Sequence, residues 1–347
     1  MTAIGGPRYR FGAGVLDVGV LGAALIALLI VSAPAQAQLK DIAAAMPTTS
    51  LTFSAHYVAE DMGFFKEEGL NVKTSVVTGI GSANAVLAGS VQLSNGSGVT
   101  IVRGAARGQP LQTIGVVLDK PPLEVVVTKD LANKLGLKPG MSVEERAKLL
   151  RGLRFGIVGV NTIPHGYLRY VLRKGGLDPE RDVTTTPLAP PAMLAGLGSS
   201  LDGFVNSQPW TVMAVHEGTA VNVVSSPQGD LPELEPTNYN VIIVNREFCK
   251  SNADTCRAIL RAYQKAMIAI RDQPDKAREV LRKRFAKLDE AVFNEAFDAI
   301  RAGTPKTSRI SEDALRNDQD FMIETGMMRK GEALKSFESV YSNDYQP

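Results

Sequence analysis

Short runs of β-branched and apolar residues alternate with helical stretches through most of the chain. From residue 51 onward, each apolar run ends in a polar or glycine-containing turn, and the turn leads into a helix. This order is typical of α/β units, in which helices cover the faces of mainly parallel sheets. With 347 residues, the chain is long enough for two lobes that each bury a core. The sequence therefore predicts a two-lobed α/β protein, whose first strand we place at residues 51–54.

Two interruptions of this alternation separate the predicted lobes. Asp119-Lys120-Pro121-Pro122 stops the pattern, because consecutive prolines force an extended backbone and cannot continue a strand ladder. We expect the chain to leave the first lobe there and to return near residues 221–225. The first lobe then contains residues 38–119 and 226–347, with a helical C-terminal tail, and the second lobe contains residues 120–225. Two such crossings form a hinge beside a cleft.

The first 37 residues have the composition of a secretory signal peptide. Arg8 and Arg10 supply its positive start, residues 18–31 are apolar or small, and Ala35-Gln36-Ala37 matches a signal-peptidase site. We therefore expect cleavage after Ala37 and export to the periplasm. A membrane anchor is the alternative, but the apolar run is short for a span and no stop-transfer charges follow it.

The two cysteines, Cys249 and Cys256, lie seven residues apart near the start of the helical tail. In an exported chain this spacing predicts one disulfide, and a pair of buried free thiols is the alternative. The spacing does not match a zinc site, and no histidine is near. A row of apolar residues at helical spacing follows, which predicts a packed core face. Its members are Cys256, Ile259, Leu260, Tyr263, Met267 and Ile270.

The composition and the turns argue against several functional classes. The 38 basic and 36 acidic residues nearly balance, and no basic run with interleaved aromatics would follow a nucleic acid backbone. Gly79-x-Gly81-x-x-Asn84 lacks the third glycine of a dinucleotide fingerprint. The strand-end turns contain no Asp or Glu to orient a nucleophile and its base. We therefore expect no nucleic acid partner, cofactor, metal or catalytic residue.

Five turns join the end of a predicted strand to the start of a helix. In open α/β sheets, ligands bind beyond the carboxyl ends of the strands, where free N–H groups face a crevice. The turns are Ser54-Ala55-His56-Tyr57, Gly79-Ile80-Gly81-Ser82, Asn95-Gly96-Ser97, Val160-Asn161-Thr162-Ile163-Pro164-His165 and Asn206-Ser207-Gln208-Pro209-Trp210. The first three belong to the first lobe and the last two to the second. A ligand that touches both sets would hold the lobes together.

Several side chains of these turns are candidate ligand contacts, although each also has a structural alternative. Ser and Asn at such positions commonly cap helices. A histidine can donate to an anion or tie down a loop, and the single tryptophan can cover a ligand or anchor a core. The candidates from the turns alone are Ser82, Asn95, Ser97, Asn161, Thr162, His56, His165 and Trp210.

Several segments resemble the nitrate/sulfonate/taurine branch of the periplasmic solute-binding proteins. Residues 59–72, AEDMGFFKEEGLNV, are similar to the opening helix of that family and to the phrase that leads into its second strand. Residues 79–82 with residues 88–92 look like its next turn and helix. Residues 165–172, together with GLDP at residues 176–179 and Asp182-Val183, resemble a segment of its second lobe. The resemblance covers nearly all of the chain after residue 37.

The resemblance implies a type II periplasmic binding fold, in which two α/β lobes joined by a two-strand hinge close over a small-molecule ligand. It also implies delivery of that ligand to an ABC permease and its ATPase at the inner membrane. We expect a monomer, since the protein must open and close. The residues that match the family's ligand contacts are Ser54, His56, Tyr57, Gly81, Ser82, Asn161, Thr162 and His165.

The predicted ligand is a small organic anion such as a sulfonate or a carboxylate, because the turns offer donors and no acidic side chain to hold a cation. The turns also contain no arginine to clamp a sulfonate or nitrate. Two alternatives remain. One is an enzyme related to thiamine-pyrimidine synthases, although no lysine in these turns could carry pyridoxal phosphate. The other is a periplasmic sensor module that presents its ligand to a receptor.

Overall fold

The computed structural model describes residues 38–347, which form two five-stranded mixed sheets flanked by helices. The predicted signal peptide, residues 1–37, and its cleavage site lie outside the described residues. Within residues 38–347, no helix is both long and apolar enough to cross a membrane. The predicted fold class, α/β with two lobes, is confirmed by these two sheets and their flanking helices.

The elements are numbered in chain order. The strands are β1 (Lys40–Met46), β2 (Leu70–Val76), β3 (Leu93–Gly96), β4 (Leu111–Leu118), β5 (Leu123–Thr128), β6 (Arg154–Ile157), β7 (Thr184–Pro187), β8 (Gly203–Ser207), β9 (Ala220–Ser225) and β10 (Asn240–Asn245). The helices are α1 (Ser54–Asp61), α2 (Phe64–Glu67), α3 (Gly81–Leu87), α4 (Gly98–Ala106), α5 (Lys129–Leu135), α6 (Val143–Lys148), α7 (Ile163–Lys174), α8 (Pro190–Gly196), α9 (Trp210–His216), α10 (Arg246–Ser251), α11 (Ala253–Asp272), α12 (Pro274–Arg284), α13 (Glu290–Ala302) and α14 (Glu312–Glu324).

The first sheet has the strand order β2-β1-β3-β10-β4. Strand β1 pairs in parallel with β2 and β3, whereas β10 runs antiparallel to β3 and β4. The second sheet has the order β7-β6-β8-β5-β9, in which β6 is parallel to its neighbours and β5 is antiparallel to its own. Each sheet therefore contains parallel strands whose carboxyl ends open onto helix starts, together with one reversed strand that follows a crossing between the lobes.

The start of the first sheet differs from the sequence prediction. Residues 51–54 are not a strand, because Ser50 accepts a hydrogen bond from the Thr52 amide at 3.3 Å and opens a helical turn that leads directly into α1. The first strand is β1, whose sequence KDIAAAM contains a single β-branched residue. Because alanine has little preference for strands, the sequence of β1 does not show the pattern of β-branched and apolar residues that predicts a strand.

The segments between β4 and β5 and between β9 and β10 connect the two sheets. The expected return near residues 221–225 is instead strand β9, which pairs along β5, and the chain returns through residues 226–239. The amide of Thr237 donates to the carbonyl of Asp119 at 3.0 Å, so the two connections lie side by side.

The second connection is fastened to the first lobe by a buried carboxylate. Asp318 of α14, which is 3% exposed, accepts hydrogen bonds from Thr237 Oγ1 and, at 3.0 Å, from Asn238 Nδ2. The amide of Gly98 donates to the Asn238 carbonyl at 2.7 Å. Helix α4, which begins at Gly98, is thereby held against the connection between the lobes.

The C-terminal tail packs against the first sheet as predicted. Cys249 and Cys256 form the expected disulfide, with Cα atoms 5.8 Å apart, and both side chains are fully buried. The bond joins α10 to the first turn of α11. The apolar row of α11 is buried in the core of the first lobe, as its helical spacing indicated: Ile259, Leu260, Tyr263, Met267 and Ile270.

Candidate functional site

A cavity of about 490 Å³ lies between the two sheets, and we call it the interlobe cavity. This volume falls in the range that small-molecule sites occupy. The first lobe contributes Thr48, Ser50, Thr52, Phe53, Ile80, Ser82, Asn95, Ser97, Thr100, Arg103 and Arg107, among others. The second lobe contributes Val158, Asn161, Thr162, Ile163, Pro164, Asn206 and Ser207. Parallel strands of both sheets direct their carboxyl ends at this space, which explains why strand-end turns supply much of its wall.

Five of the eleven candidate residues line the interlobe cavity: Ser82, Asn95, Ser97, Asn161 and Thr162. Ser97 is the N-cap of α4, where its hydroxyl accepts from the Thr100 amide at 3.3 Å. Asn161 has a φ of 57°, a left-handed backbone that Asn adopts more readily than most residues. Ser97 therefore both caps α4 and lines the cavity.

The turn expected at residues 54–57 does not reach the cavity, because these residues belong to α1 and face the core. His56 is fully buried, and its ring nitrogens lie 2.7 Å from Tyr263 Oη and 2.8 Å from Thr74 Oγ1. Burial, together with the charge of Arg284, lowers the pKa of His56 to about 3, so the ring is neutral near pH 7. Ser54 donates to the Leu51 carbonyl at 2.6 Å, and Tyr57 is likewise buried. All three side chains therefore stabilise the core of the first lobe and do not face the cavity.

Three further candidates do not line the cavity. His165 Nδ1 accepts a hydrogen bond from the Asn161 amide at 3.1 Å, which is the loop-tying role that the sequence left open. Burial and the nearby Arg169 lower the pKa of His165. Trp210 packs against the small apolar cluster around Phe204 and so anchors a core. Gly81 begins α3, next to Ser82.

Sequence reasoning missed two arginines that line the interlobe cavity, Arg103 and Arg107. They lie four residues apart on α4 and its C-cap, so they share one helix face. Arg103 Nη2 donates to the Asn161 carbonyl of the second lobe at 3.4 Å. Burial, and then the charge of Arg107, lower the pKa of Arg103. Neither arginine belongs to a strand-end turn, because they follow Ser97 by about two and three helical turns.

Two buried donors in the cavity wall have no acceptor within residues 38–347. They are Nε of Arg103 in the first lobe and Nδ2 of Asn206 in the second. Asn206 is 4% exposed, and its Oδ1 accepts from the Ser207 amide at 2.8 Å, which turns the amide nitrogen away from that contact. A buried donor without an acceptor costs about 1–3 kcal/mol. A ligand oxygen would remove that cost.

The cavity carries positive charge only. Among the described residues that line it there are two arginines and neither Asp, Glu nor Lys. Within the same part of the chain, no group of three or more His, Cys, Asp or Glu side chains is placed to hold a metal ion. The wall can therefore donate hydrogen bonds to an anion and gives a cation no carboxylate partner.

A hydrogen-bond chain from the core orients one cavity residue. Asn95 Oδ1 accepts from Tyr263 Oη at 2.6 Å, and Asn95 Nδ2 donates to Asn240 Oδ1 at 3.1 Å. Tyr263 in turn contacts His56. Because both ends of the Asn95 amide are engaged, the side chain is fixed in the cavity wall. His56 thus supports the site through two intermediate residues rather than through contact with a ligand.

The sequence is similar to a known protein family and to several known proteins. A sequence profile described as the NMT1-like family matches residues 44–283. The nitrate/nitrite binding protein NrtA of Nostoc sp. is 25% identical over 232 residues, which are 60% of this chain and 49% of that protein. The bicarbonate transport ATP-binding protein CmpC of Synechocystis sp. is 25% identical over 60% of this chain and 32% of its own length. The chain thus spans a third to a half of these two relatives. The binding protein YtlA of Bacillus subtilis is 24% identical over 92% of both chains.

Solved structures share the fold at low sequence identity. The alkanesulfonate-binding protein SsuA of Xanthomonas axonopodis pv. citri, bound to MOPS, has a TM-score of 0.67, 18% identity, and coverage of 88% of this chain and 100% of its own. The periplasmic nitrate-binding protein NrtA of Synechocystis has a TM-score of 0.62 and 13% identity, covering 89% and 87%. The desulfurization enzyme DszB has a TM-score of 0.62 and 16% identity, covering 88% and 97%. Binding proteins and an enzyme therefore share this architecture.

Proposed function

Because the chain belongs to the NMT1-like family and has the fold of nitrate- and sulfonate-binding proteins, we propose that it is an extracytoplasmic solute-binding protein. It captures a small organic anion between its lobes and delivers the anion to an ABC importer. The predicted signal peptide supports export to the periplasm. The names of its relatives, which include binding and ATP-binding components of nitrate and bicarbonate transport, support a role in import.

The observation that carries the proposal is the charge of the interlobe cavity. Arg103 and Arg107 bring two guanidinium groups to a wall that, over residues 38–347, contains no acidic side chain. Charge-assisted hydrogen bonds from arginine to a carboxylate or sulfonate are stronger than neutral ones. An anion placed there would also take up the free Nε–H of Arg103.

Closure follows from the position of Arg103 between the lobes. Its Nη2 already contacts the Asn161 carbonyl across the cavity. An anion that bridges the guanidinium and donors of the second lobe, such as Asn206 Nδ2, would hold the two lobes together. A ligand shifts an equilibrium toward the state in which it makes more contacts, so binding favours closure. The closed form is the one we propose that a permease recognises.

We propose that the protein is a binding protein and not an enzyme, as the names of most of its relatives support. DszB shows that the fold also occurs in an enzyme. The two histidines of the candidate set are engaged with Tyr263, Thr74 and the Asn161 amide instead of facing the cavity. They are therefore poorly placed to act as a general base on a bound substrate.

Isothermal titration with a panel of carboxylates, sulfonates and inorganic anions, alongside matched amines, tests the proposal. We expect an anion to bind, and Arg103→Gln to weaken that binding about 10- to 100-fold, because a hydrogen bond to a charged group contributes about 1.5–3 kcal/mol. The control is Arg257→Gln, which removes an arginine that pairs with Asp254 at 2.9 Å on the surface of α11. Preferential binding of amines, or an anion affinity equal in both variants, would contradict the proposal.

Delivery needs a separate test in cells. A strain that lacks the gene should lose uptake of the anion identified by titration, and the wild-type gene should restore it. Complementation with the Arg103→Gln variant should restore uptake only at higher external concentrations. Uptake that is unchanged without the gene would refute the transport role and leave the binding role in place.

A further inference from the structure

We infer that the preferred ligand is an organic dianion whose two acidic groups are held by opposite lobes. One group binds Arg103 and Arg107 of the first lobe, and the other binds Asn206 of the second. A dicarboxylate or a sulfocarboxylate has this chemistry. The inference rests on the proposed function, since it assumes that an anion occupies the interlobe cavity, and it specifies the charge and the shape of that anion.

The charge balance of the cavity is the first argument. Arg103 and Arg107 are one helical turn apart, and among the described lining residues no carboxylate compensates either of them. Like charges at this spacing destabilise a helix slightly. When the lobes close, water that screens the two guanidinium groups is displaced, and their repulsion grows as the local dielectric falls. A monoanion would leave one positive charge uncompensated in the closed cavity, whereas a dianion neutralises both.

The placement of the unsatisfied donors is the second argument. Arg103 Nε belongs to the first lobe and Asn206 Nδ2 to the second, and both are buried without an acceptor in the part of the chain that the structure describes. Asn206 lies near the end of β8 in the second sheet, whereas the two arginines lie on α4 and its C-cap in the first lobe. One carboxylate can satisfy donors at one of these places. A ligand with an acidic group at each end satisfies both, and it contacts both lobes in doing so.

The size and the surface of the cavity are the third argument. Its volume of about 490 Å³ is much larger than an inorganic anion needs. Apolar groups also line the cavity, including Phe53, Ile163 and Tyr239. These surfaces favour a ligand with a carbon body that joins the two acidic groups. Nitrate and sulfate lack such a body.

The test is a titration of matched pairs at low ionic strength and neutral pH. Each pair compares a dicarboxylate with a monocarboxylate of similar carbon body. The pairs are succinate and butyrate, glutarate and valerate, adipate and hexanoate, and isophthalate and benzoate. We expect at least one dicarboxylate to bind about tenfold or more tightly than its partner, the gain that one extra charge pair provides at a partly screened distance. Nitrate and sulfate should bind more weakly than that dicarboxylate.

Variants of each end separate the two contacts. Asn206→Ala should lower the affinity for the dicarboxylate about tenfold and that for the monocarboxylate less than threefold, so the ratio within the pair collapses. Arg107→Gln should weaken both members of the pair, because both place a carboxylate at the arginines. Arg257→Gln should leave the ratio unchanged. Arg107 is exposed, so Arg107→Gln should fold normally, and a thermal melt of each variant checks this.

The outcomes distinguish this inference from the proposed function. Monocarboxylates or inorganic anions that bind as tightly as the dicarboxylates overturn the dianion and leave anion capture standing. A dicarboxylate preference that survives Asn206→Ala, or a dicarboxylate affinity that Arg107→Gln leaves unchanged, also overturns the assignment of the two ends. A folded wild-type protein that binds none of the carboxylates, sulfonates or inorganic anions overturns the inference and the proposed function together.

Discussion

Asp318 is a buried carboxylate at the connection between the lobes, and its replacement by Asn should change how stability depends on pH. Burial raises the pKa of Asp318 to about 6, although hydrogen bonds from Thr237 and Asn238 oppose this rise. In the unfolded chain the carboxyl titrates near its ordinary value of about 3.9. Between these two pH values the folded protein holds a proton that the unfolded chain has released, so this group makes folding less favourable as pH rises.

The magnitude follows from the size of the shift. A rise of about 2 pKa units corresponds to about 3 kcal/mol, since each unit is about 1.4 kcal/mol. Wild-type Asp318 therefore favours folding most below about pH 4 and loses about 2.5 kcal/mol of that contribution between pH 4 and pH 7. Asn does not titrate. The destabilisation caused by Asp318→Asn should therefore be larger at pH 4 than at pH 7 by about 2.5 kcal/mol.

Urea unfolding of both proteins at several values between pH 4 and 7 measures this difference, with free energies from linear extrapolation. Asp320→Asn serves as the control, because Asp320 is an exposed carboxylate two residues away on the same helix. It measures what the loss of an exposed carboxylate from this helix does to the free energy of unfolding. A difference between wild type and Asp318→Asn that is constant with pH, or that grows toward pH 7, would refute the reasoning.

Three further predictions concern stability. Replacing Cys249 and Cys256 together by Ser should lower the free energy of unfolding by about 2.5 kcal/mol, the loop-entropy value for so short a closed loop, and an unchanged urea midpoint under oxidising conditions would count against a formed bond. The pKa of His56 is about 3 in the folded protein and about 6.5 in the unfolded chain. As pH falls, the unfolded chain therefore binds a proton first, and the free energy of unfolding of the wild type should fall by about 3 kcal/mol between pH 6.5 and pH 4. His56→Asn should remove that loss, as urea unfolding at the two pH values would show. Gly98→Ala places a Cβ 2.0 Å from Asp318 Oδ2, so the melting temperature should fall by several degrees, consistent with overpacking costs of about 1–3 kcal/mol; an unchanged value would mean that α14 moves freely.

The candidate site illustrates the limits of local patterns. The strand-end turns at Asn95, Asn161 and Ser82 were found because the position after a parallel strand is a property of the chain order. The prediction of a strand-end turn at residues 54–57 was wrong because the alanine-rich β1 has a weak strand pattern. Residues 54–57, which belong to α1, were therefore assigned to the turn after a first strand. His56 therefore lies in the core and not in a turn that contacts a ligand.

Sequence alone determined the alternation of strands and helices, the proline-rich interruption between the lobes, and the cysteine spacing that allows a disulfide. These features depend on neighbours along the chain, so they can be read without coordinates. Tertiary structure decided which helix faces the cavity. Arg103 and Arg107 resemble ordinary solvent-facing arginines in the sequence, and they line the site because α4 packs beside the connection between the lobes. The partners that cover a helix face come from distant segments, here α14 and the second lobe, and local periodicity carries no record of them.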